Sequence, residues 1–150
     1  QMGKTDQGIV AFWVMNHIFH EPLSYLGFGG LGKQVRDILH PEDLFCLVDI
    51  EIKDIERLSG QTYNVGGGKA LSLSLCELTS LCRSCCGVEC DITSRSETRP
   101  HDIRYYVSDT RKVQQATGWA PTRTLEQIVQ ETAQWVLDHK CLLEQVRGGS

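Results

Sequence analysis

The stretch Gly32-Lys33-Gln34-Val35-Arg36-Asp37-Ile38-Leu39-His40-Pro41-Glu42-Asp43-Leu44 decides how the chain is read. Val35, Asp37 and Leu39 alternate with Arg36 and Ile38, the period of an extended segment. His40 precedes a proline and is biased away from the helical region, whereas Pro41 suits the first turn of a helix. A short strand therefore runs into a helix that continues through Leu44, Leu47, Val48, Ile52 and Ile55 and ends at Ser59-Gly60. Just upstream, Gly27-Phe28-Gly29-Gly30-Leu31-Gly32 matches the dinucleotide pattern G-x-G-x-x-G. That pattern holds a pyrophosphate only between a strand and a helix N-terminus. Only seven residues, Lys33 to Leu39, separate Gly32 from His40-Pro41, too few for a crossover helix. The glycines are therefore expected to form a flexible turn.

A chain of 150 residues has the length of one domain and can bury a core without staples. Hydrophobic residues at 41% and charged residues at 23% exclude disorder over most of the length. Fifteen basic against nineteen acidic residues leave a charge of −4 and no basic excess to displace phosphate counterions, so no nucleic-acid partner is expected. The longest purely apolar run, Ile9–Met15, is too short for a bilayer. Asp6 cancels Lys4 and no cleavage site follows, so no membrane association or secretion signal is expected and the location reads as cytoplasmic.

The seven cysteines, Cys46, Cys76, Cys82, Cys85, Cys86, Cys90 and Cys141, are an odd count and read as reduced thiols. Cys82, Cys85, Cys86 and Cys90 invite a metal or redox reading, but a single C-x-x-C lacks a second pair. At helical spacing Cys82, Cys85 and Cys86 share one side, where they pack as small hydrophobes.

The remaining elements follow from punctuation. Gln7–Phe19 is a helix apolar almost all round, with Asp6 as N-cap, so it is buried or covered by something absent. Leu23–Leu26 is a strand, as is Thr62–Val65, which Gly66-Gly67-Gly68 stops. Ser72 or Ser74 caps a Leu-rich helix reaching Cys86; Glu89–Thr93 is extended, Ser94–Asp102 a loop and Tyr105–Val107 a strand. Asp109 caps a helix to Thr117 that Gly118 ends, and Leu125 to about Gln145 is one long helix. The sum is α+β, helix-rich, with about four short strands: residues 1–147 form one lobe and 148–150 a disordered tail.

Four stretches together resemble the extended short-chain dehydrogenase/reductases that act on nucleotide sugars. Gly32–Leu44 is similar to that family's "G-x-Q-x-R-D-x-x-H-V-x-D", and Tyr63-Asn64-Val65-Gly66-Gly67-Gly68 to its "F-N-I-G-G-G". Arg99-Pro100-His101-Asp102 resembles "R-P-G-D". Tyr106-Val107-Ser108-Asp109-Thr110-Arg111-Lys112 with Gly118-Trp119-Ala120-Pro121 resembles "Y-x-x-D-x-x-K-A…L-G-W-x-P". Asp6-Gln7-Gly8 and Gln34–Asp37 are nearest to the CDP-sugar 2-epimerases of the paratose/tyvelose type. The resemblance covers residues 3–146 and implies an NAD-dependent epimerase or dehydratase. That family's Rossmann half, with its Tyr-x-x-x-Lys pair, has no counterpart here: no tyrosine of this chain is followed four residues on by lysine.

The resemblance thus implies a substrate-binding lobe without its cofactor lobe, with NAD held elsewhere in the parent enzyme and no catalytic residue in this chain. It implies that Arg36 and Arg99 grip a diphosphate, for which a guanidinium fork is suited. The Ser24-to-Leu26 strand lies against the base, Asn64 near the nucleotide, and Asp102 accepts from a ribose hydroxyl. Bland readings stand beside these: Arg36 as half of a salt bridge with Asp37, Asn64 as a turn residue, Asp102 as a solvated carboxylate. His40 reads as structural. His101 replaces the family's glycine beside the diphosphate, and the Gly27–Gly32 turn is longer than the usual one. The implied partners are a nucleoside-diphosphate sugar and either the missing Rossmann lobe or a second copy, joined through the Ile9–Phe19 face. The competing reading is a non-catalytic binding or oligomerisation module of the same ancestry.

Overall fold

The computed structural model describes residues 8–98 and 102–148. In chain order the elements are α1 (Ile9–Ile18), β1 (Leu23–Leu26), β2 (Val35–Asp37), α2 (Pro41–Lys53), α3 (Ile55–Leu58), β3 (Ser72–Ser74), α4 (Leu75–Cys86), β4 (Ile92–Arg95), β5 (Tyr105–Tyr106), α5 (Arg111–Thr117), α6 (Leu125–Asp138) and α7 (Lys140–Gly148). This is the expected helix-rich α+β class. The elements divide into two compact units, residues 1–33, 75–102 and 126–150, and residues 34–74 and 103–125.

In the first unit, β1 runs parallel to β4, Leu23 opposite Ile92 and Leu26 opposite Arg95. Helix α1 packs against α4. Trp13, Val14, Met15 and Ile18 are buried, so the all-apolar α1 is largely covered within its own unit. Thr79 of α4 fixes this packing. Its Oγ1 accepts from Trp13 Nε1 at 2.9 Å and from Tyr25 Oη at 2.8 Å, and donates to Leu75 O at 2.8 Å. The Trp13 and Tyr25 rings stack at 6.4 Å. Cys82 and Cys90 are buried, and burial pushes both thiols up, the inert condition of a packed cysteine. His17 is wholly buried with Nδ1 2.7 Å from Trp13 O. A carbonyl only accepts, so Nδ1 carries the proton, and burial lowers the imidazole pKa and keeps it neutral.

In the second unit, β2 is the middle strand, antiparallel to β3 and parallel to β5. Leu47 of α2, Val113 of α5 and Trp119 form its core, with Leu39, Ile50, Tyr63 and Val65 packed against it.

Several expectations need correction. Thr62–Val65 is extended but joins no ladder. Tyr63 and Val65 are drawn into the core instead, and Lys112 Nζ takes Thr62 O at 2.8 Å. Ser72 and Ser74, read as caps, are the ends of β3, because Leu73 between them is buried. Ser94 and Arg95 extend β4 beyond the expected loop boundary, paired with Tyr25 and Leu26. The helix from Pro41 breaks at Asp54, whose φ of −120° and ψ of 38° leave the helical region. The long C-terminal helix is interrupted at His139, and Gly148 closes α7 rather than opening a tail. Asp6 and residues 149–150 lie outside the described residues, and Gly8 stands at the N-cap of α1.

Thr79→Val keeps the side-chain volume and removes the oxygen that a buried and a half-buried donor share. It is expected to cost about 1–3 kcal/mol in urea unfolding. Unchanged stability would show that Trp13 and Tyr25 find another acceptor.

Candidate functional site

The motif stretch that decided the fold builds a compact polar junction in the unit of residues 34–74 and 103–125. Asp37, last residue of β2, directs Oδ2 at the backbone N–H of Gly68 at 3.0 Å and of Ser108 at 3.2 Å. A side chain at Gly66 would strike that carboxylate and Ser108 Oγ, and one at Gly67 would strike Ile38 O. Gly66 and Gly67 are therefore required by close approach, and Gly68 by its positive φ of 64°. Asp37 Oδ2 thus serves two backbone donors, a role neither reading of Arg36 had given it.

Arg36 sits on the middle strand, opposite Leu73 of β3 and Tyr106 of β5. It is half-buried, and Nη1 donates to Val35 O at 2.8 Å. Its strand neighbour Leu73 is buried and Tyr106 is exposed. Asn64 is exposed on the segment leading to the glycines. His40 is the N-cap of α2, its Nδ1 accepting from Glu42 N at 3.2 Å, the structural role expected of it.

Asp43, the last acid of the motif stretch and given no role by the sequence, anchors the junction from α2. It is buried; Oδ1 accepts from Thr122 N at 3.0 Å and Thr122 Oγ1 at 2.7 Å, and Oδ2 from Arg123 N at 3.3 Å. Its backbone carbonyl takes Trp119 Nε1 at 2.8 Å. Burial pushes its carboxyl upward, but the hydrogen bonds from Thr122 and Arg123 outweigh that and leave the pKa below the usual value. The available signal was an acid at the third residue of a helix, paired with a distant Trp-Ala-Pro-Thr turn.

The other expected residues lie in the first unit. Ser24 Oγ and Thr93 Oγ1 share a hydrogen bond of 2.6 Å across the β1–β4 pair, and Leu26 is half-buried at the strand end. Asp102 is exposed. Arg99 and His101 lie outside the described residues. The Gly27–Gly32 turn, expected to be flexible, is tied down: Gly27 N donates to Arg95 O, Gly30 N to Gly27 O, and Phe28 N to Thr98 Oγ1. Ser94 Oγ donates to Gly30 O. Positive φ at Gly27, Gly29, Gly30 and Gly32 explains the glycines.

No family model matches the chain. It is 31% identical over 140 residues to CDP-paratose 2-epimerase of Salmonella typhi, a match covering 90% of this chain and 40% of that protein. It is 30% identical over 131 residues to dTDP-glucose 4,6-dehydratase 1 of Escherichia coli, covering 81% and 34%. The chain belongs to the extended short-chain dehydrogenase/reductase family of nucleotide-sugar epimerases and dehydratases. It corresponds to a C-terminal part of such proteins and spans about 40% of the length of the first of these relatives. Among solved structures, the UDP-glucuronic acid 4-epimerase of Bacillus cereus superposes with a TM-score of 0.77 at 16% identity, over 90% of this chain and 41% of that one. The dTDP-glucose 4,6-dehydratase of Bacillus anthracis, solved with NAD, superposes at 0.69 with 26% identity, over 89% and 40%.

The family's dinucleotide does not fit the glycine turn of this chain. After Gly32 the backbone enters β2 rather than a helix, and the N–H groups of Gly27, Phe28 and Gly30 are already hydrogen-bonded within the unit.

Two outcomes test this junction. The depressed Asp43 pKa means that the unfolded chain binds its proton first as pH falls. Its contribution is full above about pH 4 and is lost as pH drops through the lower folded value. Urea midpoints measured from pH 6 to pH 2 are expected to fall over that range, and less steeply in Asp43→Asn. Gly67→Ala is expected to unfold the junction by more than about 2 kcal/mol, since the clash is with backbone. A folded, equally stable Gly67→Ala would disprove the close approach.

Proposed function

We propose that this chain is the nucleoside-diphosphate-sugar-binding part of an NAD-dependent epimerase, of the kind that acts on CDP-sugars at C2. The observation that carries the reading is its 31% identity with CDP-paratose 2-epimerase over 140 residues, 90% of its own length. That the relatives' names include epimerases and dehydratases of sugar nucleotides supports the substrate class. The residues 1–147 are read as one substrate-binding lobe, working in the cytoplasm. No described helix is long and apolar enough to cross a membrane.

In this reading Arg36 is the cation for the diphosphate. Nη1 held on Val35 O restricts the guanidinium plane, and a restricted donor loses less entropy when it grips a phosphate. Arg99 supplies the second cation. Ser24 and Leu26 offer strand edge to the base, Asn64 approaches the nucleotide, and Asp102 accepts from a ribose hydroxyl. Hydride transfer belongs to the nicotinamide, which the rest of the parent protein holds. This chain's own residues bind and orient, and no proton passes through them. With no Tyr-x-x-x-Lys in its sequence, the chain does not turn over substrate by itself.

Calorimetric titration of the chain with CDP, UDP, dTDP and NAD tests the proposal. Binding of CDP, weakened at least roughly tenfold in Arg36→Ala and in Arg99→Ala, is expected, with no heat from NAD. Binding of none of the nucleoside diphosphates, or turnover by the purified chain, would overturn it.

A further inference from the structure

Every residue from Gly27 to Gly30 has positive φ, and one of them is not glycine. Phe28 holds a φ of 49°, in the left-handed region. Among the described residues the other non-glycine with positive φ is His20, a residue type that visits this region more readily. A bulky aromatic is strained there, and glycine in its place would not be. Residues kept in such conformations gather at ligand sites, held by surroundings that over-determine them. Here the surroundings are visible. Gly27 N donates to Arg95 O at 2.8 Å, Phe28 N to Thr98 Oγ1 at 3.0 Å and Gly30 N to Gly27 O at 2.8 Å. A side chain at Gly27 would press on Thr98, and one at Gly30 would strike Ser94 and the backbone of Arg95. The turn is thus held down on residues 94–98, and Phe28 with it. Its ring is half-buried and, among the described residues, stacks on no other ring.

Two placements say what the ring is for. Leu26, two residues before it, ends β1, the strand whose edge is offered to the base in the function proposed above. Thr98, which accepts the Phe28 N–H, is followed in sequence by Arg99, the second diphosphate cation of that function. The backbone of Phe28 is therefore tied to the strand on one side and to the residue before the cation on the other. We propose that Phe28 is the stacking platform for the heterocyclic base of the nucleoside diphosphate, an inference that rests on the substrate class proposed above. Stacking uses the π face that every base carries, so the ring adds affinity without choosing among bases. A ring fixed by a strained turn loses little freedom when the base arrives.

The test is calorimetric titration of the full chain with CDP, with thermal unfolding of each variant alongside. Phe28→Leu keeps apolar bulk and removes the aromatic face. It is expected to weaken CDP binding at least about fivefold, the low end of what one base–aromatic stack supplies. Phe28→Tyr restores the face and is expected to bind as the unsubstituted chain does. Phe28→Asn removes the ring and suits positive φ better, so it is expected to bind as weakly as Phe28→Leu while its Tm is unchanged or higher. A fall in Tm for Phe28→Asn would show that the ring is there for packing and overturn the inference. Undiminished CDP binding in Phe28→Leu or Phe28→Asn overturns it alone and leaves the functional proposal standing. An unsubstituted chain that binds no nucleoside diphosphate overturns both.

Discussion

One carboxylate oxygen holds the motif-bearing unit together. Asp37 Oδ2 takes the N–H of Gly68 and of Ser108, so the end of the middle strand, the triple-glycine loop and the segment after β5 meet at a single acceptor. Strands of two or three residues cannot hold a sheet by ladder bonds alone. An ionised acceptor roughly doubles the strength of each bond it receives, which explains why an acid stands at this strand end. The glycines are the steric counterpart. The loop must run so near Asp37 and Ile38 that a single methyl group at Gly66 or Gly67 would collide. Asp43 repeats the device one turn into α2, gathering Thr122 and Arg123 while its carbonyl receives Trp119. Two buried or half-buried carboxylates thus fix the two ends of the segment that links strand to helix.

How far the fold could be read from the residues varied with the kind of signal. Elements written in local chemistry were legible: the His40-Pro41 start of α2, the Gly118 end of α5 and the reach of α4 to Cys86 all follow from backbone preference. Elements defined by a partner were not. Thr62–Val65 has strand composition, yet no strand lies beside it, and its apolar residues serve the core instead. Ser72–Ser74 has cap composition, yet β2 lies beside it and makes it a strand. The breaks at Asp54 and His139 leave the helical hydrogen-bond pattern almost continuous, so periodicity carries no trace of them.

The site was legible as motif and less so as role. Asp37, read as a neighbour for Arg36, is a backbone clamp. Asp43 stands in the motif stretch, but a buried acid that accepts three hydrogen bonds looks, in sequence, like any acid in a first helical turn. Thr79 escaped for the same reason. A threonine inside a helix is unremarkable until Trp13 and Tyr25 arrive from elsewhere in the chain and both need its one oxygen.

The glycine turn shows why a pattern binds nothing without its surroundings. Gly27–Gly32 satisfies G-x-G-x-x-G letter for letter, and its glycines are there for the usual reason, positive φ. A dinucleotide site needs N–H groups that point outward at a helix start, with no partner until the phosphate arrives. Here Arg95 O, Thr98 Oγ1 and Gly27 O accept the N–H groups of Gly27, Phe28 and Gly30, and the chain leaves the turn as a strand. The turn therefore spends its hydrogen-bonding capacity on its own unit.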